Sequence, residues 1–167
     1  MSQSERKPFV DWYDECAERV YKFLYSKVNS LAEAQDLTSQ TFLKAWQAYP
    51  TLRDPDRFIP WIFTIARNQA NDHYRQHKHM EVLLDEFAPD PQANPVQIAI
   101  QKERSQELSK LISILNEDDR ELLYLRYQGE ITFREIAQVL GRSESAVKKQ
   151  HLRLLARLQS QLEPEND

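Results

Sequence analysis

The chain has 167 residues and a formal net charge of -4, enough for one medium domain or two small helical ones. Hydrophobic residues at 41% and charged residues at 29% exclude a disordered chain. The 2 glycines argue against glycine-rich phosphate loops and tight strand turns, and the 1 cysteine, Cys16, excludes an intramolecular disulfide and fits a reducing compartment.

The N-terminal stretch MSQSERKPFVDW has no apolar signal core and no long apolar run follows, so a cytoplasmic protein is expected. Residues 9–28 carry Phe9, Trp12, Tyr13, Cys16, Val20, Leu24 and Val28 at helical spacing, and Asn29-Ser30 breaks the run. A second helix follows, with Leu31, Ala34, Leu37, Thr41, Phe42, Ala45, Trp46 and Tyr49 on or near one face, ending at Pro50. After a loop over 51–57, a third helix begins near Phe58; Pro60 is tolerated there because first-turn amides have no helical acceptor. Its face of Phe58, Ile62, Ile65, Ala66 and His73 opposes a polar face of Thr64, Arg67, Asn68, Asn71, Arg75 and Lys78.

Residues 80–95 lose the apolar period and gather Pro89, Pro91 and Pro95 among acids and amides, as a linker does. Helical patterning returns near Val96 and runs through Ile100, Leu108, Leu111, Ile112 and Leu115. Asn116 is placed to cap the next helix, which carries Leu122, Leu123, Leu125 and Tyr127 and ends at Gly129. The acids Glu117, Asp118 and Asp119 suit the positive end of that helix.

Residues 132–158, TFREIAQVLGRSESAVKKQHLRLLARL, hold the strongest local signal. Thr132 and Ser143 are capping residues, Gly141 supplies the turn between them, Ala137 is small where the two helices cross, and Ile136, Leu140 and Val147 form a shared core: the pattern of a helix-turn-helix. Along the second helix Val147, Leu154, Leu158 and Leu162 point inward, while Ser145, Lys148, Lys149, Leu152 and Arg153 point outward, where Lys and Arg reach guanine edges or phosphate. The charge distribution agrees. Residues 142–157 hold the bases Arg142, Lys148, Lys149, Arg153 and Arg157 against the single acid Glu144, whereas 81–100 hold four acids (Glu81, Asp85, Glu86 and Asp90) and no base. Local field rather than net charge decides where phosphate binds.

The segments AEAQDLTSQTFLKAW (32–46) and RFIPWIFTIARNQANDHYRQ (57–76), followed by this helix-turn-helix, together resemble the extracytoplasmic-function sigma factors, over nearly the whole chain apart from the two tails. The resemblance implies an all-α fold of two small helical domains: sigma region 2 over 8–78 and sigma region 4, with the helix-turn-helix, over 106–162. An acidic, Pro-containing linker and the start of the next helix fill 79–105. The larger members' N-terminal acidic region and middle domain have no room here.

The same resemblance implies docking on core RNA polymerase through Asp36, Gln40 and Lys44, with Phe42 and Trp46 read as packing residues. It implies reading and melting of the −10 promoter element by Trp61, Arg67, Asn68, Asn71 and Arg75, with the 51–57 loop holding a flipped base. The −35 element falls to Ser143, Ser145, Lys148, Lys149, Leu152 and Arg153. Core polymerase, promoter DNA and an anti-sigma protein are the implied partners; an enzyme, a cofactor and a small-molecule substrate are not expected. The chain departs from the family pattern at Ala146, where a threonine is usual, and at Gln150, where an arginine is usual. The competing readings are a helix-turn-helix regulator acting without polymerase, and a sigma mimic that titrates core or an anti-sigma protein.

His73 and His77 share helical spacing but lack an HExxH pattern, so no metal site is expected. Cys16, on the apolar face of the first helix, is read as structural.

Overall fold

The computed structural model describes residues 6–76 and 95–162, and within them the protein is helical with no strand. Three helices make the N-terminal half: α1 (Phe9–Val28), α2 (Leu31–Ala48) and α3 (Phe58–Gln76). Asn29 takes a left-handed conformation, φ 51°, and stops α1, while the Ser30 side chain accepts from the Glu33 amide and starts α2. Short 3₁₀ turns at Tyr49–Thr51 and Pro55–Arg57 bridge to α3. Asp54 caps the second by accepting from the Asp56 amide at 3.0 Å.

Each pair of these helices packs directly. Their core is aromatic at one end, where Phe58 stacks on Trp12 (centroids 4.5 Å apart) and meets Phe9, Tyr49 and Trp61 edge-on. Trp46 departs from its expected packing role: its residue is 61% exposed, while Phe42 is buried as expected. One face of α2 is thus wider and more apolar in solvent than the pattern implied, because α1 and α3 together cover only the stripe from Ala34 to Ala45.

Cys16 is fully buried and its thiol donates to the Trp12 carbonyl at 3.0 Å. Burial pushes its pKa up to about 12, outweighing the nearby Arg19 charge. At neutral pH it is therefore a protonated thiol, and a disulfide reagent is expected to label the native chain slowly and the denatured chain at once. Prompt native labelling would contradict this placement.

The C-terminal half comprises α4 (Pro95–Ser113), α5 (Glu117–Leu123), one π-helical turn (Tyr124–Gln128), α6 (Phe133–Leu140) and α7 (Glu144–Leu162). α4 begins inside the span read as linker, and Val96, Ile100 and Leu108 on it are exposed. Asn116 caps α5 by accepting from the Asp119 amide at 2.8 Å. Gly129 follows the π turn with φ −74°, an ordinary conformation. Space is what requires glycine there: a Cβ would lie 2.8 Å from the Leu125 carbonyl oxygen and 2.8 Å from Phe63 Cε1.

That last contact crosses between the halves. Phe63 is fully buried, edge-on to Phe23, and belongs to one continuous core that runs from Cys16 to Leu154. α1 packs on the π turn and α3 on α6. Arg19 fastens the seam by donating from Nε to the Gly129 carbonyl (2.8 Å) and from Nη2 to the Glu130 carbonyl (2.9 Å). Glu130, one of these two acceptors, has a left-handed backbone, φ 54°.

Candidate nucleic-acid interface

The expected helix-turn-helix is formed by α6 and α7. Thr132 Oγ1 caps α6 by accepting from the Glu135 amide (3.1 Å) and also donates to the Glu135 carboxylate (2.9 Å). Gly141 takes φ 65°, the left-handed turn the sequence called for, and Arg142 N–H closes on the Ala137 carbonyl at 2.9 Å. Ser143 caps α7 by accepting from the Ala146 amide at 3.2 Å. Ile136, Ala137, Val147 and Leu154 are buried, while Leu140, expected in the shared core, is only half-buried at its edge. Leu162 is 58% exposed, not inward as the stripe predicted, because α7 runs past the end of the elements that cover it.

Ser143, Ser145, Lys148, Lys149, Leu152 and Arg153 are all exposed. Leu152 is 67% exposed, on the same surface as the basic groups. Lys148 pairs with Glu144 at 3.2 Å in solvent, a contact of little energetic weight. The Lys149 and Arg153 side chains line an open groove of about 690 Å³ between α7 and the start of α5. Gln150 turns to the floor of that groove, where its Nε2 donates to Asp119 at 2.9 Å.

The N-terminal residues fall into two settings. Asp36, Gln40 and Lys44 are exposed on α2, with Gln40 donating to Asp36 at 2.8 Å and the exposed Leu43 and Trp46 beside them. The exposure of these two apolar residues is not legible from helical spacing alone. On α3, Trp61 is half-buried against Phe58, Asn68 is exposed, and Arg75 pairs with Asp72 at 2.6 Å.

Arg67 and Asn71 are drawn into the seam. Arg67 Nε donates to Glu121 Oε1 at 2.9 Å, and Lys27 Nζ reaches the same oxygen at 2.7 Å and Asn71 Oδ1 at 3.2 Å. Burial drives the Glu121 carboxyl toward protonation, but the Arg67 hydrogen bond and the Lys27 charge outweigh it and hold the pKa below its usual value. Lys78 and His77 lie outside the described residues, as does the acidic run 81–90. His73 sits 3.3 Å from Glu33, and among the described residues no group of three or more His, Cys, Asp or Glu is placed to hold a metal. No helix among them is long and apolar enough to cross a membrane.

A capped helix-turn-helix with a basic outer face, packed against a three-helix unit, defines a helical DNA-binding protein. Comparison with known families narrows this. Residues 12–80 match Sigma-70 region 2 and residues 105–158 match Sigma-70 region 4. The chain is 32% identical over 142 residues to the ECF RNA polymerase sigma factor SigM of Bacillus subtilis, covering 84% of this chain and 86% of SigM. It is 31% identical over 153 residues to the probable RNA polymerase sigma factor RfaY of Xanthomonas campestris, covering 88% of this chain and 38% of RfaY; it therefore spans well under half of that relative. The sigma factor RpoE of Bartonella quintana, solved in complex with the anti-sigma factor NepR, shares the fold with a TM-score of 0.70 at 21% identity, over 95% of this chain and 98% of that one. The chain belongs to the extracytoplasmic-function (ECF) group of the sigma-70 family, whose members are regulatory DNA-binding subunits.

Proposed function

We propose that this protein directs bacterial core RNA polymerase to a specific set of promoters and initiates transcription there, as a cytoplasmic subunit with no catalytic site or cofactor of its own. The observation that carries this reading is the pairing, in one chain and in this order, of a region 2 unit with a helix-turn-helix whose second helix exposes Lys148, Lys149 and Arg153. Region 2 spans 8–78 and region 4 spans 106–162, with the connection over 79–105.

In this reading α7 enters the major groove of the −35 element, where Ser143, Ser145, Lys148, Lys149, Leu152 and Arg153 meet bases and phosphates. Trp61, Arg67, Asn68, Asn71 and Arg75 on α3 receive the non-template strand of the −10 element, and base stacking with charge contacts offsets unpairing. Asp36, Gln40 and Lys44 dock on core. An anti-sigma protein holds the free chain inactive; the related fold of Bartonella quintana RpoE, bound by NepR, supports that partner.

Run-off transcription with purified core, with and without the protein, on promoter fragments from the source genome is the test. Discrete transcripts that require the protein are expected. Tight operator binding by the isolated chain without transcripts would instead identify a conventional regulator, and core binding without transcripts a titrating mimic. Within the same assay, Lys149→Ala or Arg153→Ala is expected to lower −35-dependent transcription by roughly tenfold, the weight of one good base or phosphate contact, while core affinity holds. A matching loss of core affinity would show that the change only disrupts region 4.

A further inference from the structure

Beneath the basic face of α7 lies a buried acid. Asp119 is 3% exposed, its Oδ1 accepts from Gln150 Nε2 at 2.9 Å, and its Oδ2 is paired with Arg157. Gln150 and Arg157 stand seven residues apart, two turns along one face of α7. The remaining oxygen of Gln150 accepts from Arg142, in the turn that precedes α7. Four side chains thus form an unbroken chain from the turn, along α7, to the first turn of α5.

Apolar packing of Val147 and Leu154 resists withdrawal of α7, but it is non-directional and permits roll about the helix axis. Hydrogen bonds are directional, and a buried carboxylate stripped of its partners is costly, so any roll that breaks either contact is opposed. Base readout demands side chains held to about 0.5 Å by supporting contacts. The paired donors also mask a negative charge that would otherwise face DNA phosphate across the groove.

We propose that Asp119 is a positioning residue for −35 recognition: through Gln150 and Arg157 it sets the roll of α7 in the major groove, and Gln150 serves as a strut rather than a reader of bases. The inference rests on the reading of α7 as the −35-recognition helix. A neutral amide suits position 150, since it accepts from Arg142 and donates to Asp119 at once, whereas a guanidinium has no acceptor.

The test uses the full chain with core polymerase on one promoter and on variants with each −35 base pair replaced in turn. Asp119→Asn is expected to lower the ratio of transcription from the native to the substituted −35 elements by about tenfold, as contacts across several base pairs slip together. In an Asp119→Ala background, adding Gln150→Ala should lower it no further, since Asp119→Ala already removes the acceptor of the Gln150 contact. The double variant Gln150→Ala/Arg157→Gln leaves α5 intact and should reproduce the loss, which keeps the test decisive if Asp119→Asn folds poorly. Uniformly weaker transcription with the base ratios preserved would overturn the proposal, because Asp119 would then be merely structural. So would a Gln150→Ala effect confined to one base pair, the mark of a direct reader. A wild-type chain that yields no core-dependent transcripts would refute the promoter reading itself, and this proposal with it.

Discussion

Glu121→Ala is expected to destabilise the full chain by about 3–5 kcal/mol, the usual cost of removing one partner from a buried ion pair. The Glu121 side chain is 7% exposed and faces two cations, Lys27 at 13% and Arg67 at 31%. Truncation leaves both without their carboxylate. Arg67 has some access to water, but Lys27 has little, so the penalty is not relieved locally. Urea denaturation of wild type and variant gives the difference directly. A loss under about 1 kcal/mol would mean that the seam is already open in solution, since exposed ion pairs carry no more than that.

The pH dependence has a definite sign. Glu121 is held below its ordinary value of 4.5 in the folded chain. Its contribution is therefore fully present above pH 4.5 and is lost as pH falls through the depressed folded value. Wild type should lose stability in that acid range more steeply than Glu121→Gln, which has no proton to gain. Equal slopes would remove Glu121 from the account. The same cluster bears on the proposed function, because Glu121 engages Arg67 across the seam and releases it for the proposed strand contact only when region 4 moves off region 2.

Phe58→Ala carries a comparable expected loss, about 3–5 kcal/mol, from a different cause. Phe58 is fully buried, and its neighbours Phe9 and Trp12 on α1, Tyr49 after α2 and Trp61 on α3 are anchored to separate elements. Those rings cannot all move in to fill the space, so a cavity adds to the lost transfer free energy. Tyr74, 62% exposed near the end of α3, is the control; its alanine variant should stay within about 0.5 kcal/mol of wild type. Similar losses at the two positions would refute the packing described.

Local chemistry was readable along the chain. The breaks at Asn29-Ser30 and Pro50, the caps Asn116, Thr132 and Ser143, and the turn at Gly141 each act over three or four residues. A residue type at a given spacing is sufficient information for such features. The outward set on α7 followed from the same period, because one apolar stripe determines which positions oppose it.

Contacts between distant elements were not readable. Arg67 and Asn71 belong to a polar face by spacing alone, yet they meet Glu121 and Lys27, residues separated from them by 44 to 54 positions. The acids at the start of α5 suit a helix dipole whatever else they do; only the packing of α5 against α7 buries Asp119 and gives it Gln150 and Arg157. Trp46 and Leu162 lie on apolar stripes but in solvent, since a stripe is covered only where another helix reaches it. The sequence by itself determined the helices, their ends and the basic face of the helix-turn-helix, because those depend on neighbours along the chain. The tertiary structure decided the closed seam between the halves and the polar chain under α7, because burial and charge pairing depend on which surfaces meet.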